Sequence, residues 1–391
     1  MHGSDLTFVF FIIFFGASVF ATIALFTRQT LIIAYLLLGG IVGPYGFKLI
    51  SSTDVTMQIS NIGVIFLLFL LGLNLQFKSL IKILNKTLFV TVGSCIFFCL
   101  CIYFVCRSYG YGMSESLLIS SALIFSSTII CLKLLPTTAL HHQNIGNIVI
   151  SILLLQDIIA ILLMTLLGIV SVGMDNFGYV ELISVIVALP ILVILGCLVA
   201  KYILHFLLRK YNRINEYIFL IAIGWCLAMS QLSSALGASP EIGAFIGGVI
   251  LASSPISPYI YESLKPLRDF FLIVFFFSVG ASFDFHMIQG VWPIIIIISI
   301  FILFVKPIIY WLLLLIFKEE RKTAWEVGIR LGQASEFSLL IGFLAFQAAI
   351  ISNHGFIIIQ AVTVISFIVS SYFVVLKLPN PVAISDKLRR D

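Results

Sequence analysis

Charge is what this chain has least of. Of its 391 residues, 10% are Asp, Glu, Lys or Arg, whereas soluble domains carry about 25%. With 61% hydrophobic residues and a mean hydropathy of +1.19, the composition excludes a soluble globular protein and indicates a polytopic membrane protein. The sequence also lacks a Gly-rich phosphate loop, a metal-spaced histidine pair and a basic-aromatic patch. These absences argue against a nucleotide, zinc or nucleic acid as partner. No nucleophile–base pair lies at mid-membrane depth, so no enzyme is expected and no cofactor is implied. The 7 cysteines fall inside apolar segments, where Cys95, Cys99, Cys101 and Cys106 read as small buried hydrophobes rather than metal ligands or disulfides.

What is present is a series of long apolar runs. Thirteen spans are predicted: Leu6–Phe26, Leu31–Ile50, Ile59–Leu75, Thr87–Cys106, Leu117–Leu135, Asn147–Val172, Val180–Ala200, Tyr217–Leu232, Pro240–Ser254, Asp269–Phe285, Val291–Phe317, Ala324–Ile351 and Gly355–Leu376. The first has no positive flank and is too long for a signal-peptide core, so it is read as a retained helix. Alternate loops, with the basic tail 377–391, hold 18 of the 22 basic residues, while the opposite loops hold only Lys48 and Arg107. The net charge of +5 therefore reads as a topology signal. By the positive-inside rule the N-terminus lies outside and the C-terminus in the cytoplasm. An odd number of spans requires the termini to lie on opposite sides, as they do here.

An internal echo recurs at an offset of seven spans. Leu-Gly-Gly-Ile-Val-Gly-Pro (38–44) is followed by Leu-Gly-Leu-Asn-Leu-Gln-Phe (71–77). Ile-Gly-Gly-Val-Ile-Leu-Ala-Ser-Ser-Pro (246–255) is followed in the same order by Val-Gly-Ala-Ser-Phe-Asp-Phe (279–285). Seven is odd, so matching spans run in opposite directions, as in the inverted repeats of secondary transporters, whose sites lie near the midplane. The seventh span, 180–208 with its basic end, would connect the halves.

The sixth span carries one carboxylate, Asp157, in an otherwise apolar run. It lies roughly 15 Å along a helix from the start of the span, near the middle of a hydrocarbon core about 30 Å thick. A charge there costs about 3 kcal/mol unless it faces water, a partner or an ion. The fifth span holds Ser126, Ser127 and Thr128, and its repeat mate, the twelfth, holds Gly332, Gln333, Ala334, Ser335 and Glu336. Small and polar residues at matching depth in both halves predict broken helices around a binding site. Their oxygens, with Gln156 and the charge of Asp157, would suit a dehydrated alkali cation. Gly332, Gln333, Ser335 and Glu336 are expected to support the broken helix. Lys306, followed by Pro307, sits roughly 16 Å inside the eleventh span, too deep to snorkel easily. Its expected partner is Asp157, with Glu336 as the rival. Glu326 and Arg330, four apart, are expected to pair near the membrane surface.

Gln156-Asp157, Ser126–Lys133, Gly243-Ala-Phe-Ile-Gly-Gly, Phe275-Phe-Phe-Ser-Val-Gly280 and Gly332-Gln-Ala-Ser-Glu-Phe337 together resemble motifs of the monovalent cation:proton antiporter-2 family. The likeness is closest to the membrane domain of Kef-type potassium/proton antiporters. It implies an all-α membrane fold of 13 helices in an inverted repeat. A scaffold (6–75 and 217–285) would form a homodimer, and a mobile core (87–172 and 291–376) would hold crossed, broken helices; together they make a transmembrane domain over 1–376. It also implies exchange of K+ or Na+ for H+ in a bacterial inner membrane. Kef proteins usually continue into a cytoplasmic nucleotide-binding domain, whereas this sequence stops at Asp391. The loop Ser253–Arg268 lacks the dense acidic cluster of glutathione-gated members. Both departures speak against glutathione gating and leave any cytoplasmic regulatory subunit unidentified. A single titrating carboxylate predicts one proton per cation. A gated potassium-efflux pathway and an organic-anion symporter of related fold are the alternative readings.

Overall fold

A computed structural model describes residues 6–27, 29–50, 54–73, 77–133, 144–173, 190–211 and 214–378. Every regular element among them is helical: α1 (Leu6–Phe26), α2 (Leu31–Val42), α3 (Asp54–Leu73), α4 (Phe77–Ser108), α5 (Met113–Leu123), α6 (Thr128–Lys133) and α7 (Asn144–Gly173), then α8 (Pro190–Lys210), α9 (Asn215–Ala235), α10 (Pro240–Ala252) and α11 (Ser257–Ala281), then α12 (Phe285–Ile316), α13 (Arg321–Arg330), α14 (Glu336–Gln347) and α15 (Asn353–Lys377). Eight helices among the described residues are long and apolar enough to cross a bilayer. The first part of the predicted connecting span, residues 180–189, and the tail beyond 378, with Lys387, Arg389 and Arg390, lie outside the described residues.

The chain forms two compact units. One is built from Ser52–Phe77 and Ile161–Ser278. Its core packs Phe66, Phe69 and Leu73 of α3 with Trp225, Cys226 and Met229 of α9, Leu251 of α10 and Phe271 of α11. α3 and α10 meet backbone to backbone. A methyl group at Gly72 would overlap the carbonyl of Phe245, and one at Gly248 the carbonyl of Phe69.

The other unit comprises Met1–Ser51, Lys78–Ala160 and Val279–Asp391. There the end of α11 meets α2 in the same way, since a methyl at Gly280 would overlap the carbonyl of Leu36. Gly72 and Gly280 are matched positions of the internal echo, and each crosses the helix matched to the other's partner.

Two helices in this unit are interrupted. α5 ends at Leu123 and α6 begins at Thr128, while α13 ends at Arg330 and α14 begins at Glu336. These are the interruptions predicted in the fifth and twelfth spans. α12 carries a π turn over Phe301–Val305, just before Lys306-Pro307. Proline donates no backbone hydrogen bond, so the helical ladder slips there rather than closing normally. Glu115 in the first turn of α5 accepts hydrogen bonds from the backbone N and hydroxyl of Ser352 (2.9 and 2.5 Å), the residue that caps α15.

One boundary differs from the sequence reading. Residues 257–268 were expected in a loop before a span starting at Asp269, but α11 begins at Ser257. Ile260, Leu264 and Phe271 recur at helical spacing and are buried in the core of their unit. Polar residues between them lower the average hydropathy without interrupting that face.

Candidate functional site

Each half of the broken pair has a capping residue where it restarts. Ser127 precedes α6, and its hydroxyl accepts from the backbone N of Ile130 at 3.2 Å. Ser335 precedes α14, accepts from Phe337 N, and forms a capping box with Ser338. An interrupted helix leaves backbone N–H and C=O groups unmet on both sides of the gap. The hydroxyl residues answer part of that need locally.

The two gaps are joined to each other. Ser126 donates its hydroxyl to Leu331 O at 2.8 Å. Gln333 Nε2 reaches Ser127 O at 3.5 Å, and Ser370 of α15 donates to Gln333 Oε1 at 3.0 Å. Lys306 sits between the gaps, donating to Phe125 O at 2.7 Å and to Gln333 O at 2.9 Å. Its Nζ also lies 5.8 Å from the centre of the Phe98 ring. Carbonyls near the ends of α5 and α13 carry partial negative charge, which a cation complements. Two carbonyls thus accept from the ammonium, and a ring lies within cation–π range of it.

That arrangement corrects the expectation of an ion pair. Lys306 bonds to neither Asp157 nor Glu336. Its acceptors are main-chain oxygens, which two interrupted helices supply at closer range than either carboxylate does. Arg330 pairs with Glu326 at 2.7 Å, four residues apart as predicted. Arg330 is fully buried.

Gln156 and Asp157 project from α7. Gln156 Oε1 accepts from Ser126 N at 3.0 Å, and its Nε2 donates to the Tyr310 hydroxyl at 2.6 Å. The side chains of Gln156, Ser126 and Ser127, expected as ion ligands, also hold the first gap in shape. Asp157 is 8% exposed and accepts from the hydroxyl of Thr128, 3.3 Å from one carboxylate oxygen and 3.4 Å from the other. One hydroxyl donates to one oxygen at a time, so further coordination remains open on this carboxylate. Carboxylate and hydroxyl are hard oxygen donors, the kind that hard cations prefer. Glu336 opens α14, accepts from Ser335 at 3.4 Å, and lies within electrostatic reach of Asp157. Among the described residues no three His, Cys, Asp or Glu side chains cluster as a metal site.

Gly332 is placed by packing. It and Gly328, one turn earlier on α13, face Pro307, and a methyl at either would overlap the proline or its carbonyl. Sequence reasoning missed Tyr310, although a tyrosine one turn after a buried lysine must find a partner for its hydroxyl. It also missed Ser366, which accepts from Ala334 N at 3.0 Å. A polar stripe along α15 could have revealed it.

Residues 10–377 match the family described as sodium/hydrogen exchanger, transmembrane. K(+) efflux antiporter 5 of Arabidopsis thaliana is 27% identical over 93% of this chain and 64% of its own length. The glutathione-regulated potassium-efflux system protein KefC of Cronobacter sakazakii is 28% identical over 82% of this chain. The chain spans 52% of that protein, so both relatives extend well beyond it. The sodium proton antiporter MjNhaP1 of Methanocaldococcus jannaschii shares the fold, with a TM-score of 0.66 at 16% identity over 94% of this chain and 96% of that one. The chain is thus a multi-pass membrane protein, and it belongs to the sodium/hydrogen exchanger family of cation:proton antiporters.

Proposed function

We propose that the protein exchanges a monovalent cation, K+ or Na+, for H+ by alternating access, with Asp157 carrying one or the other. The observation behind this is a carboxylate buried midway along α7, touched by the hydroxyl that opens the restarted half of a broken helix. An empty, ionised Asp157 is the expensive state to move through a low-dielectric interior. A proton or a bound cation each removes that charge, so the two loaded forms cross readily and the empty one does not. Coupling follows from that difference, and one carboxylate per cycle makes the exchange electroneutral. The K+ efflux relatives and the sodium proton antiporter support a monovalent cation as cargo.

The proposal includes thirteen spans, with the N-terminus outside and the C-terminus in the cytoplasm of a bacterial inner membrane. The distribution of basic residues supports that orientation. It also includes a homodimer formed through a scaffold, with the broken helices in a moving core. Purified protein in vesicles loaded with a pH dye, challenged with sodium, potassium and lithium in turn, tests the exchange. Cation-driven proton movement is expected, and Asp157→Asn should abolish it while expression and melting are preserved. Exchange persisting in that variant would place the carrier group elsewhere, and a current accompanying exchange would refute electroneutrality.

A further inference from the structure

The face of α15 that meets the second gap carries Gln360, Thr363, Ser366 and Ser370, all buried. Steps of three, three and four residues keep them on one stripe. At one end, Ser366 accepts from Ala334 N and Ser370 donates to Gln333, so the stripe rests on the gap. Gln333 continues to Ser127 O, and the next residue, Thr128, donates to Asp157. At the other end, Gln360 Nε2 donates to Val279 O at 2.7 Å and lies 3.4 Å from the Ser282 hydroxyl. Ser282 is half-buried, just beyond α11. Polar groups therefore line up from the half-buried turn after α11 to the second gap, which Gln333 joins to the first.

The middle of that trail is chemically incomplete. Gln360 Oε1 and Thr363 Oγ1 are buried with no hydrogen-bond partner in the protein, and so is Ser371 Oγ on the same helix. Three of the nine such atoms among the described residues thus fall within three turns of α15, which argues against random scatter. α12 packs against α15 and adds Ser299, whose hydroxyl is also buried and unpartnered. A threonine inside a helix ordinarily has a carbonyl one turn back to bond, and Thr363 does not take it. Polar atoms left unmet in an apolar interior are costly, and bound water with two to four polar neighbours is the usual remedy. Gln360 Oε1, Thr363 Oγ1 and Ser366 Oγ supply such neighbours along one line.

We propose that the α15 stripe binds a short file of buried waters, and that this file conducts protons between the 282–284 loop and Asp157. A proton taken up at the loop is passed from water to water, and one is delivered at the gap to the Asp157 carboxylate; once the carrier faces the other side, Asp157 releases it there as the cation takes its place. Thr363 has both donor and lone pairs unclaimed and can pass the proton itself. Gln360 orients the file without ionising. The inference rests on the exchange reading above and adds a proton path separate from cation binding.

Thr363→Val keeps the shape and removes the hydroxyl. In proteoliposomes its turnover at saturating cation should fall about tenfold, the scale of a lost proton-transfer step, with cation KM within about twofold of wild type. Thr363→Ser should restore it. A map of the unmodified protein fine enough to show ordered solvent should place waters beside Gln360 Oε1 and Thr363 Oγ1, whatever the variants' folding. Unchanged turnover in Thr363→Val, or a dry map, overturns the proposal. Failure of the exchange reading looks different: wild type itself would move no protons against cation, while the solvent map would remain informative.

Discussion

Gln156 donates to the hydroxyl of Tyr310 at 2.6 Å, joining α7 to α12 one turn beyond Lys306. Both residues are fully buried. Because the other end of the amide accepts from Ser126 N, Tyr310 helps fix the geometry of the first gap without touching Asp157. Tyr310→Phe strands a buried amide N–H and should destabilise the protein by about 1–3 kcal/mol. A thermal melt in detergent checks the stability, and the vesicle assay should show exchange reduced but still dependent on Asp157. An unchanged melt would mean that the amide finds another acceptor.

Lys306→Met removes the donor that Phe125 O and Gln333 O share. Hydrogen bonds to a charged group contribute roughly 1.5–3 kcal/mol each, so this variant should lose more stability than Tyr310→Phe. The same contacts predict additivity. If Lys306 were paired with Asp157, Asp157→Asn would soften the loss, because the stranded charge would be gone. A double-mutant cycle of melting free energies should instead give a coupling of less than about 0.5 kcal/mol. A larger one would restore the ion pair.

Thr128 is the hydroxyl that Asp157 accepts from. Thr128→Val, matched in shape, should raise the cation KM by about tenfold, equivalent to about 1.4 kcal/mol of lost ligand contact, while Thr128→Ser stays near wild type. Equal affinity in wild type and the valine variant would remove this hydroxyl from the cation's shell.

Gly332→Ala drives a methyl into Pro307. Overpacking of this kind costs about 1–3 kcal/mol, and the displaced proline adjoins Lys306. Melting should fall, and exchange should fall with it. Gly93, whose position is open to a methyl, serves as the control: Gly93→Ala should melt no lower than wild type.

The interruptions were legible because hydroxyls and small residues cluster inside otherwise apolar runs, at matching places in two halves of the chain. Asp157 was legible because a lone acid in such a run demands a reason. The partner of Lys306 was not legible. Main-chain oxygens exist at every residue, and only the fold decides which of them the interruptions set free. Nor were the hydrogen bonds legible that Gln156, Ser126 and Ser127, expected at the ion, make to the gap. The start of α11 was missed for a different reason: Ile260 and Leu264 bury one face of a segment whose average hydropathy is that of a loop.

Lys306 clamps both interruptions with a single charged group. Sliding one gap past the other would first strip that charge of both oxygens inside an interior with no solvent to replace them. In the proposed exchange the two interruptions would then move together. A hinge or sliding surface serving that exchange would lie outside them, and substitutions that alter transport speed without disturbing ion affinity should map there.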